Sequence, residues 1–383
     1  AEGNDSIAQN DDGTWTADGY TGNGYGDAFT FDGELTAFAP VEDFVEVTVD
    51  GTPIDLSQYQ TAGSDNHLGG GEGYPETVPK SAADAVVATL DELRTALTDA
   101  SSGDIVYVDG DATITRGESE LRIPAGVTLA SDRGIDGAPG GEITTTVVYG
   151  EGPLHAAADV RVTGLRLTGP TDEFVEYRRP VQSGITVNGT GCEFDNVEIA
   201  GFSYAAIKLN EAAHVHHAHI HSNPMDGLGY GVLCIGGQDT LIEHNRFDYN
   251  RHSVANQGTA GYEVRYNRFE GRAVAYQVGT HRPGGTTLAI HHNTFVPTEH
   301  LNDGDNPDSH ISIRGVPDDV ADIHHNWFYN EQQPAPGRGS EAVIQPHVET
   351  FTNLELASNH YGPDEPDPAI GCPRDGASSA NEP

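Results

Sequence analysis

The chain has 383 residues, room for one large domain and a smaller companion around a substantial core. Its charge is badly unbalanced, with 59 acids against 19 bases and a formal net charge of −40. That balance excludes nucleic acid and anionic membranes as general partners, and no apolar run approaches the ~20 residues of a membrane span.

Residues 1–13 are polar and read as a disordered N-terminus. Residues 14–62 alternate apolar positions with Gly and Asp turns, which predicts a small β-module. A glycine-rich linker, 63–80, follows. Thr89-Leu-Asp-Glu92 is a capping box that opens a helix running to about Ala100, with Leu90, Leu93 and Leu97 on one face. A helix there closes the open end of a sheet.

Residues 81–362 read as one repeating body, and from the middle of the chain onward one short phrase recurs: LIEHNRF, YEVRYNRF, LAIHHNTF, ADIHHNWF and, more weakly, LELASNHY. Its asparagines are Asn245, Asn267, Asn293, Asn326 and Asn359, 22, 26, 33 and 33 residues apart. A minimum near 22 with longer intervals predicts an all-β solenoid, a right-handed parallel β-helix whose extra length loops out at corners. Alternation turns Ile242, Val264, Ile290 and Ile323 inward, with Phe247, Phe269, Phe295 and Phe328 two positions past each asparagine. The asparagines are expected to form a corner ladder, and His244, Tyr266, His292 and His325 a stacked structural column beside it. Residues 363–383, rich in Asp and Pro, read as a tail.

A second strand follows each corner. The connection into it is long at 168–182, 221–229, 296–309 and 329–340, and short after Phe247 and Phe269. The two short coils should therefore floor a trough between taller walls. That floor is residues 251–285, which hold five arginines and two histidines against only Glu263 and Glu270. Clearing acids from one trough of so acidic a chain suits an acidic ligand, because arginine matches a carboxylate bidentately.

The entry TLDELRTAL followed by GDIVYVDGDATI, the coil LIEHNRFDYNRHSVANQG and the segment HISIRGVPDDVADIHHNWF resemble the pectate-lyase-like superfamily over about 85–361. The Arg-x-Pro-x-x-Arg signature of that family is absent, Arg314 being followed by Gly-Val-Pro, and Ser253 stands where its lysine is expected. The resemblance implies a right-handed β-helix, cleavage of a uronate polysaccharide by β-elimination, and calcium as a cofactor, with no calcium ligands identifiable here. Such an elimination needs the substrate carboxylate neutralised, a base for the C5 proton and an acid for the leaving oxygen.

The catalytic candidates are Lys208, Arg251, His252, His281 and Arg314, with His252 or His281 as base and Arg251 or Arg314 as carboxylate clamp. The face on which His252 points depends on a one-residue register. Tyr276, Gln277, Arg282, His310 and His347 are the substrate-binding candidates. The expected partner is an acidic polysaccharide, met by a monomer. Two alternatives stand beside the lyase: a non-catalytic extracellular polysaccharide-binding or structural protein, and a glycoside hydrolase on the same fold. The hydrolase needs paired carboxylates that the floor lacks. The acidic surface and a start on Ala rather than Met predict an exported protein working in high salt. Cys192, Cys234 and Cys372 are too scattered for a disulfide framework.

Overall fold

The computed structural model describes residues 67–117, 120–147, 152–177, 181–273, 275–296, 299–300, 309–337 and 339–374, with strands at 6–9, 15–18, 48–49 and 52–53. Residues 1–61 and 62–383 form separate units. In the first, Ser6–Gln9 pairs antiparallel with Trp15–Asp18, and Thr48–Val49 with Thr52–Pro53. The strand Ser6–Gln9 thus falls inside the stretch expected to carry no structure.

The second unit is a right-handed parallel β-helix. Among the described residues its coils contribute to three parallel sheets of 11, 10 and 10 strands. Each coil passes through the first sheet (Thr240–Glu243, Tyr262–Arg265, Thr287–His291, Val320–His324), then the second (Arg246–Asn250, Arg268–Glu270, Thr294–Phe295, Trp327–Phe328). It then enters the third (Ala205–Leu209, Tyr230–Cys234, His252–Gly258, Val278–Pro283, Ile311–Ile313, Val343–Gln345).

Between the first and second sheets the chain turns on one residue in the left-handed region: His244, Tyr266, His292 and His325 all have φ of 53–55°. That conformation costs a non-glycine residue on the order of 1 kcal/mol. The next residue offsets it. Asn267 Oδ1 accepts from the backbone N of Asn245 at 2.9 Å and from its Nδ2 at 3.0 Å, while Asn267 Nδ2 donates to the carbonyls of Ile242 and Arg265. Asn293, Asn326 and Asn359 repeat the pattern. The rings of the turning residues follow one another at 4.9–5.2 Å from His217 to His325, stacked except for the pair Tyr266–His292, which is tilted by 41°.

Inside, Ile242, Val264, Ile290 and Ile323 are fully buried. Phe247, Phe269, Phe295 and Phe328 stack at 4.7–5.0 Å. The helix Leu90–Asp99 covers the N-terminal end, its capping box closed in both directions between Thr89 and Glu92.

The linker is more than a spacer. Gly69 N donates to His244 O at 3.0 Å, Gly71 N to Asn196 Oδ1 at 2.8 Å, and Tyr74 OH to buried Asp195 at 2.9 Å. Gly70 is required by close approach: it has a φ of 67°, and a Cβ there would collide with the His217 carbonyl. The tail is likewise anchored, Gly371 N donating to His325 O and Cys372 N to Thr294 Oγ1. Local composition marked both segments as loops and could not show the partners they dock against.

Candidate functional site

The third sheet carries two kinds of side chain. Val232, Val254, Val278 and Ile311 lie in one register column and fill the core. Tyr230, Leu233, Ala205 and Ala255 belong to a separate cluster on the outer face. Tyr230 pairs with His252, whose ring lies beside those of Tyr230 and His281 rather than in the core with Val254.

There the chain assembles a compact group. The His252 ring stacks on Tyr276 with centroids 3.8 Å apart, 5.6 Å from Tyr230 and 6.2 Å from His281. Its Nδ1 lies 2.8 Å from the Tyr276 carbonyl, which can only accept, so Nδ1 carries the proton and Nε2 the lone pair. That Nε2 is buried without a hydrogen-bond partner. Burial, then the charges of Arg251 and Arg314, hold this imidazole neutral, far below its ordinary range.

His281 is more open. Its Nε2 lies 3.0 Å from the Tyr230 hydroxyl, and Arg314 Nη2 approaches its Nδ1 at 2.8 Å and its Nε2 at 3.0 Å. A guanidinium only donates, so the ring that receives it is neutral. Burial, Arg314 and Arg251 push its pKa down to about 3. Arg314 is fixed by Nε, which donates to Thr280 O at 3.0 Å, and its guanidinium carbon lies 5.1 Å from the Tyr276 ring centroid.

Arg251 is the single residue between the strands Arg246–Asn250 and His252–Gly258. Its backbone N donates to Gly229 O and Asn223 O, and its guanidinium carbon stands 5.9 Å from the Tyr230 centroid. At 8% exposure its Nε and Nη1 have no hydrogen-bond partner. Nor does the buried Tyr276 hydroxyl, whose pKa is pushed up to about 12 by burial against the opposing pull of the two arginines. Among the described residues, no carboxylate pairs with Arg251 or Arg314.

Arg251, His252, Tyr276, His281 and Arg314 therefore come together. His252, at 0% exposure, lies beneath the group rather than at its surface. Lys208 is half-buried on the same outer face, in the column Thr186–Lys208–Leu233–Ala255, two coils or ~10 Å before the level of His252. Arg282 is exposed at the rim, next to His281.

The other candidates lie elsewhere. Gln277 is buried and accepts from Ser253 Oγ at 2.7 Å. His310 packs inward on Phe295 and Phe328, with ring centroids 5.5 and 6.0 Å away. His347 is exposed on a turn beyond Gln345. The wall expected at 296–309 falls largely outside the described residues.

Tyr230 is the site residue that sequence reasoning missed, taken there as one position of a strand. Aligning GYGVLC, RHSVAN and AYQVGT on Val232, Val254 and Val278 would have found it, because that column sets Tyr230, His252 and Tyr276 side by side.

The donor set does not suit calcium. Calcium takes six to eight oxygens, mostly from carboxylates and carbonyls. The group gathered here offers guanidinium, imidazole and phenol, and no carboxylate among the described residues joins it. The paired carboxylates of a glycoside hydrolase are missing from it for the same reason.

The fold defines the chain as a right-handed parallel β-helix protein, and residues 182–335 match the family model described as a right-handed β-helix region. The alginate lyase of Paenibacillus sp. str. FPU-7, a solved structure, shares 14% identity with a TM-score of 0.36 over 73% of this chain and all of that one. No curated protein matches the chain. Among the described residues no helix is long and apolar enough to cross a membrane.

Proposed function

We propose that the chain is an exported carbohydrate-active β-helix that binds an acidic, uronate-containing polysaccharide along the outer face of the third sheet and cleaves it by β-elimination. One observation carries the reading: Arg251 and Arg314 converge on the Tyr230–His281 pair with no carboxylate among the described residues to neutralise them. In a chain of net charge −40, two guanidinium groups without a carboxylate partner among the described residues suit an anion from outside.

The chemistry follows from the same geometry. A uronate carboxylate at Arg314 loses its charge to the guanidinium, which acidifies the neighbouring C5–H. His281, neutral and beside that guanidinium, takes the proton. The electron pair forms the C4=C5 bond, the C4–O bond breaks, and the leaving oxygen needs a proton. The hydrogen bond between His281 and Tyr230 gives the abstracted proton a route back to it. Substrate also raises the basicity of the imidazole, because a bound carboxylate offsets the Arg314 and Arg251 charges that depress it. Arg251 holds the second anionic contact, and Lys208 and Arg282 extend positive charge along the chain of sugars.

The test is incubation of the full chain with pectate, alginate and glycosaminoglycans at high salt, following the ultraviolet absorbance of an unsaturated uronate. New absorbance on one of them supports the lyase. Retention of a polymer without absorbance or new reducing ends would leave a binding protein. Neither retention nor cleavage would overturn the groove.

A further inference from the structure

A second constellation lies on the corner between the first and second sheets, away from the third-sheet group. The residue before the turning position is Arg265 on one coil and His291 and His324 on the next two. The turning residues of those last two coils are His292 and His325. His291 Nδ1 faces His292 Nδ1 at 2.8 Å, and His324 Nδ1 faces His325 Nδ1 at 2.9 Å. The rings of His291 and His324 stack 4.7 Å apart at 6°.

We propose that His291, His292 and His324 bind a borderline divalent transition-metal ion of the zinc class. Each offers one ring nitrogen, and the three nitrogens lie within 4.8 Å of one another. Zn–N bonds of ~2.0–2.1 Å set ligand nitrogens ~3–3.5 Å apart, so the facing pair has to open by about half an ångström and the third ring to close by at most ~2 Å. Three imidazoles without thiolates suit Zn²⁺, Ni²⁺ or Cu²⁺ and exclude calcium.

The protonation states agree with this. His291 Nε2 lies 3.2 Å from Glu263 Oε1, which accepts its N–H and leaves the lone pair on Nδ1. A carboxylate behind a histidine ligand orients it and raises its basicity. With that lone pair as acceptor, the proton shared across the 2.8 Å contact sits on His292 Nδ1, and binding a metal through that nitrogen moves it off. The scaffold is stiff, since Asn293 N donates to Asn326 Oδ1 at 3.0 Å immediately beyond both pairs. His292 and His324 are partly open to solvent, leaving room for water as a further ligand.

The experiment is calorimetric titration of the tag-free, chelator-stripped full chain with Zn²⁺ alone. One high-affinity site is expected, with affinity lowered at least ~100-fold in His291→Asn/His324→Asn. Glu263→Gln, which keeps all three rings, should weaken it ~10-fold or more. His219→Asn, at the separate Glu198–His219–His221 cluster, should leave it unchanged. No zinc binding, binding indifferent to the His291/His324 pair, or loss in His219→Asn would each overturn the assignment. Should the double variant fail to fold by circular dichroism, Glu263→Gln alone decides.

Discussion

Arg314 holds its Nη2 2.8 Å from Nδ1 of His281, and the two groups share no carboxylate among the described residues. A cation and a neutral base at that distance are held apart from protonation by each other, and an incoming carboxylate changes the state of both. Arg314→Ala removes the clamp while leaving the core untouched, because the side chain is only partly buried on the outer face. A charge-assisted bidentate contact is worth ~1.5–3 kcal/mol, so kcat/KM on the cleaved polymer, or affinity for a retained one, should fall ~10- to 100-fold. Arg314→Lys should recover part of it. Steady-state kinetics on the purified variants check this, and wild-type values in Arg314→Ala would sink the clamp.

Acid should destabilise the protein through its buried histidines. His281 and His292 have folded pKa values pushed from 6.5 to about 3, so between those values the unfolded chain binds the proton and the folded one does not. Stability from these groups is therefore fully present above pH of about 6.5 and declines as pH falls towards 3. Glu198, held down to about 2 chiefly by its hydrogen bond to His221, acts in the same direction at the lower end of the window. Urea unfolding measured from neutral to mildly acid pH should show falling stability, with a shallower slope in His281→Asn. A flat profile would contradict the burial of these rings.

The Asn ladder should be worth more at its centre than at its end. Asn267→Ala orphans the backbone N–H of Asn245 and removes the donor to the carbonyls of Ile242 and Arg265, all in the interior of the corner. Leaving buried polar groups unpaired costs ~1–3 kcal/mol each, so a loss of ~2–4 kcal/mol is expected by denaturant unfolding. Asn359→Ala, where the ladder ends and the residue is partly exposed, should cost clearly less. Equal losses would mean that the ladder acts locally rather than as a stack.

The solenoid was legible because it repeats. The phrase around Asn245, Asn267, Asn293 and Asn326 carries both the inward aliphatic position and the stacked phenylalanine, and each coil has to satisfy the same neighbours. The candidate site repeats nothing. His252 was placed on the floor by loop lengths and charge, and strict alternation from core Val254 would turn it inward; the irregular strand start, where Arg251 N and His252 N both reach the Gly229 carbonyl, sets it beside Tyr230 and Tyr276 instead. Gln277 and His310 have polar side chains typical of a binding surface, yet both sit just before their strands, where Gln277 N and Val278 N donate to the same His310 carbonyl and break the alternation, so His310 packs into the aromatic stack and Gln277 is buried against Ser253. The docking of Gly71 and Tyr74 joins positions more than a hundred residues apart, which no local pattern encodes.

Salt should move stability and ligand binding in opposite directions. The sequence carries a net charge of −40, and self-repulsion among carboxylates is screened as the Debye length shrinks from about 10 Å at 0.1 M to about 3 Å at 1 M. The unfolding temperature should therefore rise with sodium chloride. Arginine contacts to a polyanion weaken under the same screening, but unequally. Arg251 is nearly sealed from solvent, with Tyr230 beside it, so its attraction is screened less than that of exposed Arg282. Affinity for the polymer should thus fall with salt in the wild type, and Arg282→Ala should flatten that dependence more than Arg251→Ala, which should lower affinity at every salt concentration. Paired thermal melts and binding titrations across the salt series check both halves. An unfolding temperature that falls with salt would show that surface repulsion does not limit this fold.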